Sequence, residues 1–140
     1  MKAVVIGCGR TGSEVAKQLA DQGWDVTAVD ENEDALARLG PSWRGGFVVG
    51  HGMDTTVLER AGVSDVDAAV VSTDGDNTNI VIGQLLERRY GIPTVLVRLL
   101  DPLRAAFYTD RGMRTVCPTK TAISAFSDAL RTEARARKAS

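Results

Sequence analysis

The sequence has little that would mark a metal site, a disulfide scaffold or a binder of polyanions. It holds one histidine and two cysteines, and Cys8 and Cys117 stand far apart and form no CxxC pair. That usage fits a reducing compartment and provides no zinc-ligand spacing. Charge of neither sign is in excess: 17 Lys and Arg oppose 18 Asp and Glu, for a net charge of -1. Without a single-sign field, neither a nucleic-acid backbone nor a membrane surface is held by charge alone, and nucleic acid drops out as an expected partner. The first apolar run starts at Ala3 without a basic leader and breaks at Gly7. It is too short for a secretory signal or a membrane span, so the expectation is a soluble, cytoplasmic protein. Repeats and low-complexity tracts are also missing, although Arg131 to Ser140 is charged and Ala-rich. That stretch reads as a fraying helix end or the start of a linker.

What is there is an alternation. A chain of 140 residues suits one domain, whose core buries roughly two-thirds of the surface of the unfolded chain. Short β-branched runs alternate with longer segments of helical period, the pattern of βαβ units around a parallel sheet covered on both faces. Six runs read as strands: Ala3 to Ile6, Asp25 to Val29, Gly46 to Val49, Ala68 to Ser72, Thr94 to Arg98 and Arg114 to Cys117. Between them, Val15, Ala16, Leu19 and Ala20 share a helical face, as do Val57, Leu58 and Ala61, and then Ile80, Val81, Leu85 and Leu86. Pro93 and Pro102 fall where a strand and a helix begin, positions that need no hydrogen bond from the missing N–H. After Pro118, Thr119 to Ala136 reads as a further helix with Ile123, Phe126 and Leu130 along one side, a stripe that must pack on something. The expected fold is α/β: a Rossmann-type, doubly wound, six-stranded parallel sheet over residues 1–118, with a C-terminal helix and charged tail over 119–140.

The most specific local feature is Gly7-Cys8-Gly9-Arg10-Thr11-Gly12, which follows the first strand and opens the first helix. Gly7 permits the tight turn, Gly9 lets the backbone approach a pyrophosphate, and Gly12 lets the helix lie close to the strand. The phosphate then rests on free N–H groups at the positive helix end. Thr11 belongs to the same cradle. The second strand ends at Asp30, eighteen residues beyond Gly12, with Glu31 beside it. An acidic side chain there accepts both ribose hydroxyls of an adenosine and repels a 2′-phosphate, which favours NAD(H) over NADP(H); the alternative role for Asp30 is to cap a helix starting near Glu31. Arg10 can reach the outer oxygens of a di- or triphosphate, which suits ATP or ADP as well as NAD, or it can be a solvated surface residue.

Further contacts are expected at the carboxyl ends of the other strands, where the crevice of an open α/β sheet forms. Strand three runs into Gly50-His51-Gly52-Met53-Asp54, strand four into Ser72-Thr73-Asp74-Gly75-Asp76-Asn77, and strand five ends at Arg98. Ser72 and Thr73, with Asp74 and Asn77 following, are candidates to line the nucleotide, and His51 and Met53 to flank the adenine; the alternative for His51, the sole histidine, is an ordinary surface residue. Asp54 and Asp76 read equally as N-caps.

The groups an enzyme needs are not evident. A dehydrogenase needs a proton donor or acceptor beside the nicotinamide, and usually a second domain. The tyrosine with a lysine four residues on, as in short-chain dehydrogenases, is absent: Tyr90 is followed by Thr94 and Tyr108 by Gly112. Cys8 lies near a positive helix end that lowers thiol pKa, but reads more simply as a small turn residue. An oxidoreductase or nucleotide-utilising enzyme completed by a partner subunit stays open as the alternative, and a structural subunit with a vestigial site as a third.

With these residues in view, the chain resembles the N-terminal nucleotide-binding domain of the potassium-transport regulators called RCK, KTN or TrkA-N. The likeness rests on GCGRTG, Asp30, VVGHGMDTTVLERAGV, VVSTDGDNTN and VRLLDPLRAAFYTDRGMRTVCPT. It implies phosphate binding by Gly7, Gly9 and Gly12, an outer phosphate on Arg10, the ribose on Asp30, and Thr73 and Arg98 near the ligand. It implies a regulatory switch responsive to NAD(H) or ATP/ADP, which gates a membrane-embedded potassium channel or transporter from the cytoplasmic face as a dimer or larger ring. The helix from Thr119 then resembles the family's crossover helix, which packs on a neighbouring subunit. In two respects the sequence departs: the family usually carries an acidic residue where His51 stands, and its customary C-terminal RCK domain does not follow.

Overall fold

The computed structural model describes residues Met1–Ser140. Six strands form one sheet: β1 (Lys2–Ile6), β2 (Asp25–Asp30), β3 (Gly46–Val49), β4 (Ala68–Val71), β5 (Thr94–Arg98) and β6 (Arg114–Val116). All pairs are parallel, in the order β3-β2-β1-β4-β5-β6. The order reverses at β1, so the loops leaving β1 and β4 diverge and open a crevice at the carboxyl edge. The expected doubly wound sheet is therefore present, with strand limits shifted by a residue or so.

Between the strands lie α1 (Arg10–Asp21), α2 (Ala35–Leu39), α3 (Thr55–Arg60), α4 (Asp76–Arg88) and α5 (Pro102–Thr109). Side chains of a strand alternate between faces, and the central strand shows it. Val5 of β1 joins a cluster with Ala16 of α1 and Ala35 and Leu39 of α2, while Val4 and Ile6 join the larger cluster with α3 and α4. Both faces of β1 are thus dry, which explains its unbroken apolar sequence.

The helical stripes are as expected at α3, where Val57, Leu58 and Ala61 are buried, but only in part for α4, where Ile80 and Leu86 are buried and Leu85 packs on the core. There Val81 is 47% exposed and Ile82 is fully buried. The buried set is Asn79, Ile82, Gly83 and Leu86, spaced i, i+3, i+4, i+7, with Ile80 also buried on its margin. A polar residue and a glycine hold two core places, and of the four apolar residues expected to face the core only Val81 points away.

The last helix, α6 (Pro118–Ala139), starts with Pro118 in its first turn and runs through the charged stretch, so the tail is helix to Ala139. The Thr119 hydroxyl anchors its start by donating to the Leu100 carbonyl. From Lys120 onward every residue is exposed. Ile123, Phe126 and Leu130 are 56%, 74% and 70% exposed, so within one chain the stripe packs on nothing. No helix is long and apolar enough to cross a membrane.

Candidate functional site

The glycine turn is closed by contacts that only glycine permits. Gly7 leaves β1 with φ +90°, and a Cβ there would stand 2.6 Å from the backbone of Ser72. A Cβ on Gly12 would meet the Gly7 carbonyl oxygen at 1.8 Å, so α1 lies directly against the strand exit. The Ser72 hydroxyl donates to that same carbonyl at 2.9 Å and joins β4 to the turn. At Gly9, by contrast, a Cβ would meet nothing within 4 Å. Gly9 is the N-cap of α1, no side chain caps the helix, and no acidic residue sits in its first turn. The helix start therefore presents uncapped N–H donors and the positive end of its dipole.

Asp30 faces this turn. Its Oδ2 accepts the N–H of Cys8 at 2.8 Å and its Oδ1 the N–H of Asn32 at 2.9 Å. It is not a helix cap: α2 begins only at Ala35, after Asp34. The carboxylate instead holds the tip of β2 against the turn, and a carboxylate with two occupied lone pairs retains acceptor capacity. Beneath it the Cys8 thiol is fully buried, and burial followed by the Asp30 charge pushes it up to about 12. A thiol kept protonated is a poor nucleophile, which fits the turn-residue reading.

A cleft of about 420 Å³ opens here, and of the expected residues Gly7, Gly9, Asp30, Glu31, His51, Ser72, Thr73 and Asp74 line it. His51 Nδ1 accepts the Met53 N–H at 3.0 Å, which leaves Nε2 as the nitrogen facing Glu31 Oε1 at 3.3 Å. Gly12 lies buried under the turn. Arg10, Thr11 and Met53 are exposed and outside the cleft wall. Asp54 does cap α3, accepting from the Thr56 N–H at 2.9 Å, and Thr56, through its side chain first and its N–H second, holds the carboxyl below the ordinary value. Asp76 does not cap α4, whose N-cap is Gly75. Its two oxygens accept the N–H groups of Leu100 and Asp101 at 2.8 and 3.0 Å.

Two expected residues face protein rather than the cleft. Asn77 accepts from Arg104 at 2.7 Å. Arg98 donates through Nη2 to the carbonyls of Ser72 and Thr73 at 3.2 and 2.8 Å, while its Nε is buried without a partner. Sequence reasoning missed Asn79, which is 1% exposed and holds Thr73 from inside α4. An asparagine inside an apolar helical run is the signal that marks it. It also missed Arg38 of α2, which lines the cleft and has no local motif to reveal it. A second cavity, of about 380 Å³, lies at the opposite edge of the sheet between Trp24 and Trp43, away from the turn.

Residues 3–118 match the TrkA-N domain family. The Trk system potassium uptake protein TrkA of Streptomyces coelicolor is 36% identical over 120 residues, covering 86% of this chain and 54% of that protein. The chain thus spans about half the length of this relative. Among solved structures, the Kef CTD of Shewanella denitrificans in AMP-bound form superposes with a TM-score of 0.79 at 21% identity, over 94% of this chain and 81% of that one. GsuK bound to ADP gives a TM-score of 0.79 at 19% identity, over 94% of this chain and 34% of that one. An uncapped helix start behind a glycine turn, an acidic tip on β2, and a sequence match across nearly all of the sheet place this chain in the TrkA-N domain family.

Proposed function

We propose that the cleft binds an adenine nucleotide, NAD(H) or ATP/ADP, without turning it over, and that the chain is a regulatory unit of a potassium uptake system or channel. The observation that carries the reading is the uncapped N-terminus of α1 set behind Gly7, Gly9 and Gly12 with the Asp30 carboxylate beside it. The N–H groups of Gly9, Arg10, Thr11 and Gly12 take the phosphates and Asp30 takes the ribose. The exposed Arg10 swings to an outer phosphate. Ser72, Thr73 and Asp74 form the β4 wall, the His51–Glu31 pair and Met53 flank the adenine, and Asn77 and Arg98 steady the β4 loop. The AMP and ADP held by the two structural neighbours agree in ligand class.

Residues 1–118 are the nucleotide unit and α6 is the element that meets a second copy, so the assembly acts beside a membrane-embedded potassium transporter on its cytoplasmic side. The name of the Streptomyces relative supports that partner. A ligand gates such an assembly only through different affinities for two conformations, so NADH against NAD+, or ATP against ADP, must differ in fit.

The test is isothermal titration of nucleotide-stripped protein with NADH, NAD+, ATP and ADP. Unequal affinities within a pair support a sensor. Absence of binding by all four overturns the nucleotide reading, and sustained turnover of NADH or ATP would favour an enzyme.

A further inference from the structure

Asp30 shares the cleft with Arg38, and one residue of the turn joins them. Cys8 gives its N–H to Asp30 at 2.8 Å, and its carbonyl lies 3.5 Å from Arg38 Nη1. That long contact is the only hydrogen bond the guanidinium makes, and Arg38 takes part in none of the ion pairs of the chain. The carboxylates nearby have other partners: Asp30 holds two backbone N–H groups, and Glu31 faces His51. A guanidinium has five donors in one plane, matched to an anion with several oxygens. Arg38 therefore brings an unpaired positive charge into the cleft on its β2 side.

The 5′-phosphates do not need it, since the uncapped start of α1 already offers donors and a positive dipole end. We propose that Arg38 sets specificity at the ribose: it takes a phosphate on the 2′-oxygen of adenosine, so that the cleft accepts NADP(H)-type ligands alongside unphosphorylated ones. This rests on the adenine-nucleotide reading above. An acid at the tip of β2 alone repels a 2′-phosphate, whereas an arginine beside it accommodates one. Here the acid is partly offset by the two N–H groups it accepts, and the arginine is one residue's backbone away. Arg38 thus removes the exclusion that Asp30 by itself imposes.

The discriminating ligands are 5′-AMP and adenosine 2′,5′-bisphosphate, which differ only in the 2′-phosphate. Each is titrated calorimetrically into the full chain, as wild type, Arg38→Ala and Arg38→Lys, with thermal melts to confirm that the variants fold. The wild type is expected to bind the bisphosphate at least as tightly as AMP. Loss of a charge-assisted bond makes Arg38→Ala about tenfold weaker for the bisphosphate and less than about threefold weaker for AMP, with Arg38→Lys in between. Equal weakening of both ligands would place the guanidinium on the adenine or the 5′-phosphate and overturn the proposal, as would no change in either. A wild type that binds AMP but rejects the bisphosphate overturns it while leaving the nucleotide site standing. Binding of neither ligand overturns the underlying reading as well.

Discussion

The side chain of Asn79 closes on Thr73 from both ends of its amide. Its Oδ1 accepts from the Thr73 N–H at 3.0 Å and from the Thr73 hydroxyl, and its Nδ2 donates to the Thr73 carbonyl at 3.1 Å and to the Arg98 carbonyl at 2.9 Å. The β4 wall of the cleft is thereby tied to the end of β5 through a helix residue that no solvent reaches. Asn79→Ala strands the Thr73 N–H, and each buried polar group left without a partner costs about 1–3 kcal/mol. A urea titration should show a loss of that size or larger. Asn79→Asp is expected to be no better, because a carboxylate oxygen then confronts two carbonyls in place of the donor. An unchanged midpoint for either variant would show that the clasp contributes nothing.

Gly9 and Gly12 separate folding from ligand binding. The Gly12→Ala methyl would stand 1.8 Å from the Gly7 oxygen, and neither group can yield without moving α1 off the strand. A loss of roughly 1–3 kcal/mol or more is expected from such overpacking. Gly9→Ala meets open space. It should change stability by less than about 1 kcal/mol, within the range of N-cap substitutions. Its methyl lies where a phosphate must approach, so affinity for ADP or NADH should fall at least about tenfold, or about 1.4 kcal/mol. A Gly9→Ala variant that melts normally and binds normally would remove the turn from the site.

The parts of this chain that were legible in the sequence are those held by local chemistry. A parallel strand buried on both faces reads as an apolar run, as Ala3 to Ile6 of β1 does, and the runs of the other strands follow at regular intervals; a glycine turn between strand and helix declares itself by spacing. What tertiary contact brings in was not legible. Arg38 stands eight residues beyond Asp30 with no spacing rule to connect them, and reaches the cleft only because α2 folds back over Cys8. Asp76 resembles a helix cap in sequence, yet its carboxylate binds the backbone leaving β5, which no local reading brings near. Val81 and Ile82 are equally apolar, and only the place of Asn79 and Gly83 on the inner face decides which of the two is buried.

The Cys8 thiol makes stability depend on alkaline pH in a defined direction. Burial, then the Asp30 charge, raises it from 9.0 to about 12 in the folded chain. Between those values the folded state binds the proton and the unfolded state releases it, so stability is full below about pH 9 and falls as pH rises toward about 12. The loss reaches on the order of a few kcal/mol, since each pKa unit is worth about 1.4 kcal/mol. Other groups titrate in the same range, so the comparison is with Cys8→Ala, which lacks this slope. Urea midpoints at a series of pH values from 8 upward should show the gap between the two proteins narrowing as pH rises. A constant gap would mean that the thiol titrates in the folded protein as it does in the unfolded one.

The helix α6 is held to its own chain only at its first turn. Thr119 donates to the Leu100 carbonyl, and no residue of the helix is buried. In proteins most helical stability comes from packing an apolar face rather than from helix propensity. Ile123, Phe126 and Leu130 form such a face at spacings of three and four. If a second copy covers it, Phe126→Glu should abolish the association, because glutamate keeps helix propensity while placing a charge in the apolar contact. Sedimentation or light scattering should then show a dimer or larger assembly for the wild type and a smaller species for the variant, with the melting of the sheet domain little changed. Circular dichroism gives an independent readout: dilution should reduce helicity in the wild type as α6 loses its partner, while the variant should start low and stay there. A wild type that is monomeric at high concentration, with helicity unchanged by dilution, would show that α6 stands without a second copy and would remove it from the proposed assembly.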